Sequence, residues 1–343
     1  MNLISPSYAF TTALFKAEEA KDLSMAMMRE ALQKSSIDDA VVSMKGSSIG
    51  AYLDRNLVKT FEEANKCLHR YIRDCLEHIL AFRPPKEMVL IAQAYLIKFD
   101  VLNIKVALRR LIENAEAPFT EAGKIFEKGF LKELSQAQGI EDIAGIMQRC
   151  SLHSYARVVE QLDDINLRNV VKAETELDKI YFKELEELLG QTDDSDILKK
   201  ALGIMVDLIN LRILLRAVFK NQPAKEEAFI AGGEMFSTRK LTTLAELKAP
   251  ELITALDHTR YSGLIREVMK DYDTRKDIRV VEKATDSQQL RLIRELLSPK
   301  VFSPAMVFLM LMVKEWEVRS ARLVLKAVSE SIPASTLSDY LEM

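Results

Sequence analysis

An acid, an amide and two bases follow one another at Asp100, Asn103, Lys105 and Arg109. Such a set could do acid–base work on a bound molecule, with cations to hold an acidic group. The same order recurs at Asp207, Asn210, Arg212 and Arg216, and in altered form at Glu317, Ser320, Arg322 and Lys326. The copies stand about 108 residues apart, so the pattern is an internal repeat rather than one assembled site. No catalytic logic requires this set at this spacing three times in one chain.

Other chemistries find less support. The glycines Gly46–Gly50 lack a following lysine, and Gly232-Gly233 runs into Glu234 and Met235, so no phosphate-binding P-loop is present and no direct nucleotide binding is expected. Cys75/His78 and Cys150/His153 share a Cys-x2-His spacing that would put each pair on one face of a helix. Neither has a second thiol at knuckle spacing, and cysteine is a common buried apolar residue. No Glu-x-x-His occurs among the four histidines, which removes the usual di-iron ligand set of helical bundles. The acid pairs Asp163/Asp164 and Asp193/Asp194 fall where caps or loop acids belong. No metal, cofactor or catalytic residue is expected.

The elements that carry the repeated set are helices. Gly (11) and Pro (9) are scarce in the 343 residues, and no stretch alternates with period two, so the expected class is all-α. The 48 basic and 51 acidic residues give a net charge of −3, with no basic excess to recruit nucleic acid. Three cysteines make no disulfide framework, and the opening residues lack the basic-then-apolar order of a signal peptide. The reading is a cytoplasmic protein. The longest charge-free apolar run, Val301–Val313, is shorter than the ~20 residues that span a bilayer. Its methionines Met306, Met310 and Met312, with Trp316 beyond, read as core or as one oily contact face.

Each copy reads as two small helices, a turn, a long helix, a reset, and the signature helix closed by a proline. In the first copy Ser36 caps a short helix, SSIGAYL (Ser47–Leu53) is the turn, and Val58–Phe82 is the long helix ended at Arg83-Pro84-Pro85. The signature helix then runs to about Asn114. The second copy answers with Gly139–Met147, a turn at Leu152–Val158 and a long helix over Val171–Leu189. The third has short helices at Leu241–Leu247 and Pro250–Leu256, a turn at Arg260–Leu264 and a long helix over Asp277–Leu297, with Ser303-Pro304 opening the last signature helix. The copies span roughly 1–120, 121–225 and 226–343, with no flexible linker between them, so they are expected to pack as one body.

On a helical wheel Val101, Ile104, Leu108 and Leu111 form one apolar stripe, repeated by Leu208, Leu211, Leu215 and Val218, and by Val318, Ala321, Leu325 and Val328. The acid and amide flank the stripe on one side and the two bases on the other. Two readings of the polar groups stand: they lock neighbouring helices in register, or the bases line a surface for an acidic partner.

These residues, with several others, resemble a known family: the C subunit of the bacterial and archaeal V/A-type ATPase (ATP synthase), related to the d subunit of the eukaryotic vacuolar ATPase. Its opening aromatic segment is matched by Tyr8-Ala9-Phe10 followed by Glu18–Leu23, and its Asp-x-x-Asn helices by Asp100–Arg109 and Asp207–Arg216. Glu174, Leu177, Asp178, Tyr181 and Phe182 fit its second-copy pattern. Ser303-Pro304 and the run from Lys314 through Glu315, Trp316, Glu317, Val318, Arg319, Ser320 and Ala321 to Arg322 fit its closing element. Ser320 for Asn and Phe10 for Tyr are the departures. The resemblance covers essentially the whole chain. It implies a funnel-shaped, three-fold pseudo-symmetric helical body without an active site. Such a body sits on the cytoplasmic face of the membrane proteolipid ring and receives the central stalk, coupling ATP turnover to H+ or Na+ transport. The alternative from another class is a helical-repeat scaffold unconnected to rotary ATPases.

Overall fold

The computed structural model describes residues 6–113, 118–162, 164–334 and 337. Among them there is no strand, and the all-α expectation holds. The helices, numbered in chain order, are α1 (Pro6–Glu19), α2 (Met25–Ala31), α3 (Ile37–Met44), α4 (Ser48–Arg55), α5 (Phe61–Ala81) and α6 (Lys86–Glu113). Then come α7 (Lys124–Glu127), α8 (Leu131–Ser135), α9 (Ile140–Arg149), α10 (His153–Glu160), α11 (Leu167–Leu189) and α12 (Ser195–Phe219). After a 3-10 turn at Glu226–Ala228 follow α13 (Thr238–Ala245), α14 (Ala249–Leu256), α15 (Ser262–Arg275), α16 (Arg279–Leu297) and α17 (Ala305–Ser329). The signature sets lie on α6, α12 and α17. The expected end of the first signature helix near Asn114, and Asp163 of the acid pair, lie outside the described residues.

Local sequence explains several helix starts. Ser24, Ser36 and Ser47 each accept the backbone N–H of the third residue of α2, α3 and α4, and Thr60 with Glu63 closes a reciprocal capping box on α5. The three segments expected as turns are corrected by the same logic. Ser47 caps a helix, α4, whose Ile49 and Leu53 are buried. Leu152–Val158 is mostly α10, with Tyr155, Ala156 and Val159 buried, and Arg260–Leu264 leads into α15, with Leu264 and Ile265 buried. A short apolar period in a Ser- or Tyr-bearing segment was enough to make a helical turn pack. Ser303 accepts the Ala305 N–H, but α17 begins at Ala305, so Pro304 stands at the N-cap and Ser303 one residue before it. Asp194 stands at the start of α12 with a left-handed backbone, and its side chain makes no cap bond.

The signature helices α12 and α17 end alike. Asn221 and Ser331 take φ of 54° each, and the next residue's N–H reaches back to Ala217 O or Ala327 O, both at 2.9 Å. This six-to-one closure, with a proline two residues on, terminates the helix where the repeat pattern places its end.

The chain forms two compact units: Met1–Tyr181 with Lys300–Glu342, and Phe182–Pro299. In the first unit α17 is the central element, packed against α1, α2, α3, α5 and α6. Met306, Met310 and Met312 are buried there, as the core reading expects, whereas Trp316 is half-buried because it lies off the buried face. In the second unit α12 packs along α16 and against α13, and α15 lies on α14 and α16.

Candidate functional site

The acid and amide of each signature helix reach a loop, and the same loop role repeats. Asp100, fully buried on α6, accepts the N–H groups of Lys124 (2.8 Å) and Ile125 (2.9 Å) at the start of α7. Asn103 accepts the Thr120 N–H at 2.8 Å and donates to Thr120 O at 2.9 Å. On α12, Asp207 accepts from Met235 N–H (2.9 Å), Phe236 N–H (3.3 Å) and the Tyr261 hydroxyl (3.1 Å). Asn210 holds Ile230 by both its N–H (2.8 Å) and its carbonyl (2.7 Å). A non-helical peptide buried beside a helix needs both its donor and its acceptor satisfied, and a primary amide does both at once.

Two glycines make room for these carboxylates. A Cβ on Gly123, whose φ is +90°, would sit 2.6 Å from Asp100 Oδ1, and one on Gly233 would sit 2.3 Å from Asp207 Oδ1. Only a residue without a side chain lets backbone and carboxylate meet there.

On α17 the parts differ together. Glu317 accepts the Leu23 N–H at 2.7 Å from a side chain one methylene longer, and the residue before Leu23 is Asp22 rather than glycine. Lys314, itself 3% exposed, lies 2.9 Å from Glu317 and 3.1 Å from Asp22. Ser320 replaces the amide, and the chain before Leu23 is the end of α1, where Ala20 N–H already bonds Lys16 O. That backbone satisfies itself, so an amide has no peptide left to hold.

The bases turn the other way, to a long helix. Lys105 Nζ lies 2.5 Å from Asp178 on α11, and Arg109 grips Glu174 with two nitrogens at 2.5 and 2.8 Å. Arg212 reaches Asp286 at 2.5 Å and Thr285 at 3.1 Å on α16, and Arg216 pairs with Glu282. These two long helices, α11 and α16, therefore each offer two acids four residues apart, on one face, in antiparallel register with the bases. At the third seam, Arg322 faces His69 of α5 at 3.5 Å, and Lys326 lies 4.9 Å from the Phe61 ring centroid and pairs with Glu330 at 2.6 Å.

Burial dominates the electrostatics. It pushes the Asp100 carboxyl up to about 7 and Asp207 up to about 6, against the pull of the backbone N–H groups each accepts. Glu315 behaves oppositely. It is buried on α17, yet the charges of Lys98 and Arg319 and a 2.6 Å bond from the Tyr95 hydroxyl hold it down at about 2. Burial drives the Cys75 thiol up to about 12, so it stays protonated at neutral pH. Cys150 ends α9 while His153 opens α10, so that pair does not share a helix face, contrary to the expectation. Among the described residues no group of three or more His, Cys, Asp or Glu could hold a metal ion, and no helix is long and apolar enough to cross a membrane.

On no signature helix do the acid and bases converge on one point; each set divides between a loop and a long helix. The residues missed by spacing alone are Gly123, Gly233, Glu282, Asp286 and the Lys98–Glu315 pair. The acids four apart on the third long helix carried a readable signal, whereas the glycines and Lys98–Glu315 did not.

Comparison with known proteins agrees with this architecture. The family described as ATP synthase (C/AC39) subunit matches residues 11–340. The chain is similar to the C subunit of the A-type ATP synthase of Methanocaldococcus jannaschii, 24% identical over 97% of this chain and 86% of that protein. It is also 27% identical to the protein of that name from Thermococcus onnurineus, over 97% of this chain and 90% of the relative, and 26% identical to that of Desulfurococcus sp., with the same coverage. With a match that runs nearly end to end, on a helical frame whose signature residues are joints between helices and loops, the chain belongs to the ATP synthase (C/AC39) subunit family.

Proposed function

We propose that this protein is a non-catalytic rotor subunit of a V/A-type rotary ATPase, a socket that couples the central stalk to the membrane proteolipid ring. It works peripherally on the cytoplasmic face, in ATP-linked H+ or Na+ transport. The three signature-bearing segments, at about 1–120, 121–225 and 226–343, then build one pseudo-symmetric helical body. The observation that carries this reading is the fate of the signature. Asp100, Asn103, Asp207, Asn210 and Glu317 are spent on backbone groups, and Lys105, Arg109, Arg212 and Arg216 on carboxylates of a long helix.

Charged pairs that are partly desolvated resist sliding of one helix along another, because separation leaves a charge without its partner. An element under torsion needs that property, and a reactive centre does not. The family relationship supports other ATPase subunits as partners: its members named above are A-type ATP synthase subunits. Co-purification from cells tests the reading. The chain brings down central-stalk and proteolipid-ring subunits of the ATPase; capture of neither sinks the socket role and leaves a scaffold unconnected to that machine.

A further inference from the structure

The third seam lacks what the other two possess. On α11 and α16 the positions facing the bases are Glu174/Asp178 and Glu282/Asp286. On α5 the residue facing Arg322 is His69, and the residue four before it is Asn65. Burial, and then the Arg322 charge, hold the imidazole down at about 4, so at neutral pH it brings no charge at all. Arg322 is half-buried, its Nε is enclosed without a hydrogen-bond partner, and among the described residues no carboxylate pairs with it. The neighbouring charge that it feels is another cation, Arg319, which Glu315 already holds at 2.6 Å. A guanidinium kept charged, partly desolvated and unmatched is costly to the isolated chain.

We infer that Arg322, in the α5–α17 seam, is the docking point for a carboxylate side chain of a partner protein, which supplies in trans the acid that α11 and α16 supply in cis. The partner's chemistry follows from charge complementarity: the equivalent bases on α6 and α12 take carboxylates, one of them bidentate. A half-enclosed fork between two helices suits a single side chain better than a lipid surface. The identity of the partner rests on the proposed function, which makes it an acidic residue of the central stalk.

Two full-length variants test this. Arg322→Gln removes the cation. His69→Glu installs the missing acid in cis, and is expected to raise the Tm of the isolated chain, so lost binding cannot be ascribed to misfolding. Affinity for the purified central-stalk subunits falls at least tenfold in each, about 1.4 kcal/mol. Wild-type affinity retained by either variant overturns the inference while leaving the socket role intact. Loss of binding to phosphatidylserine vesicles with stalk affinity unchanged overturns it in favour of a headgroup. An unmodified chain that binds no stalk subunit overturns both readings together.

Discussion

Replacing Gly123 by alanine puts a methyl group where the Asp100 carboxylate now sits. The added Cβ would lie 2.6 Å from Oδ1 and 2.7 Å from both Cγ and Oδ2, and the backbone there has φ 90° and ψ 177°. That conformation costs a residue with a side chain roughly 1–3 kcal/mol. Moving the carboxylate away forfeits two backbone hydrogen bonds to a buried group, each worth roughly 1.5–3 kcal/mol. The sum is about 4 kcal/mol or more. Two other glycines separate the contributions. Gly129 also has positive φ (79°) but nothing within 4 Å of an added Cβ, so Gly129→Ala carries backbone strain alone, about 1–2 kcal/mol. Gly145, inside α9 with open space around it, is expected to gain about 0.5–1 kcal/mol as alanine. Urea denaturation followed by circular dichroism measures all three. A Gly123→Ala variant within about 1 kcal/mol of Gly129→Ala would refute the idea that glycine is there for the carboxylate.

Arg109→Gln leaves Glu174, whose side chain is 10% exposed, without its bidentate partner, and costs about 1–3 kcal/mol; pairing it with Glu174→Gln recovers part of the loss in a double-mutant cycle. Asp207, with its folded pKa raised to about 6 from an ordinary 3.8, binds more protons folded than unfolded. Its contribution to stability therefore falls as pH rises from about 4 to 6, and Asp207→Asn removes that slope from a pH series of denaturation midpoints. Glu315 has the opposite sign: depressed to about 2 from 4.5, it stabilises fully above about pH 4.5 and loses this as pH falls toward 2. Glu315→Gln is accordingly destabilised by about 2–4 kcal/mol at neutral pH, and its deficit relative to the wild type shrinks below pH 4.

The helices of the signature were legible because their information is local. Val101, Ile104 and Leu108 state a period, and the residues that begin and end helices sit within a turn of the element they punctuate. The acid and bases of α6 could be seen to leave by opposite sides of the stripe, but not where they went. Asp100 meets a loop that follows its own helix, while Lys105 meets a residue one long helix further along and Glu317 meets Leu23 from nearly the far end of the chain. Spacing carries no trace of such pairings until two copies agree on the acids. Lys98–Glu315 was hidden for a sharper reason: the aligned position on α12 is Met205, so the copies disagree there and the repeat argues for nothing. The short helices α4 and α10 read as turns in the sequence because eight residues give only two or three buried positions, too short a period to set apart from a turn.

The bond from Leu23 to Glu317 has a consequence for how the protein is made. The first unit takes its central helix, α17, from downstream of the second unit, so it is translated after that unit, which lies within one uninterrupted stretch. A nascent chain can complete the second unit while the first still exposes the apolar faces of α2, α3 and α5 that α17 will cover. From Pro299 to the end of α17 at Ser329 is 329 − 299 = 30 residues, which at roughly 5–20 residues per second takes a few seconds. Ribosome-bound chains halted before Ala305 should therefore recruit chaperones through the segment from Met25 to Ala81 that α17 covers.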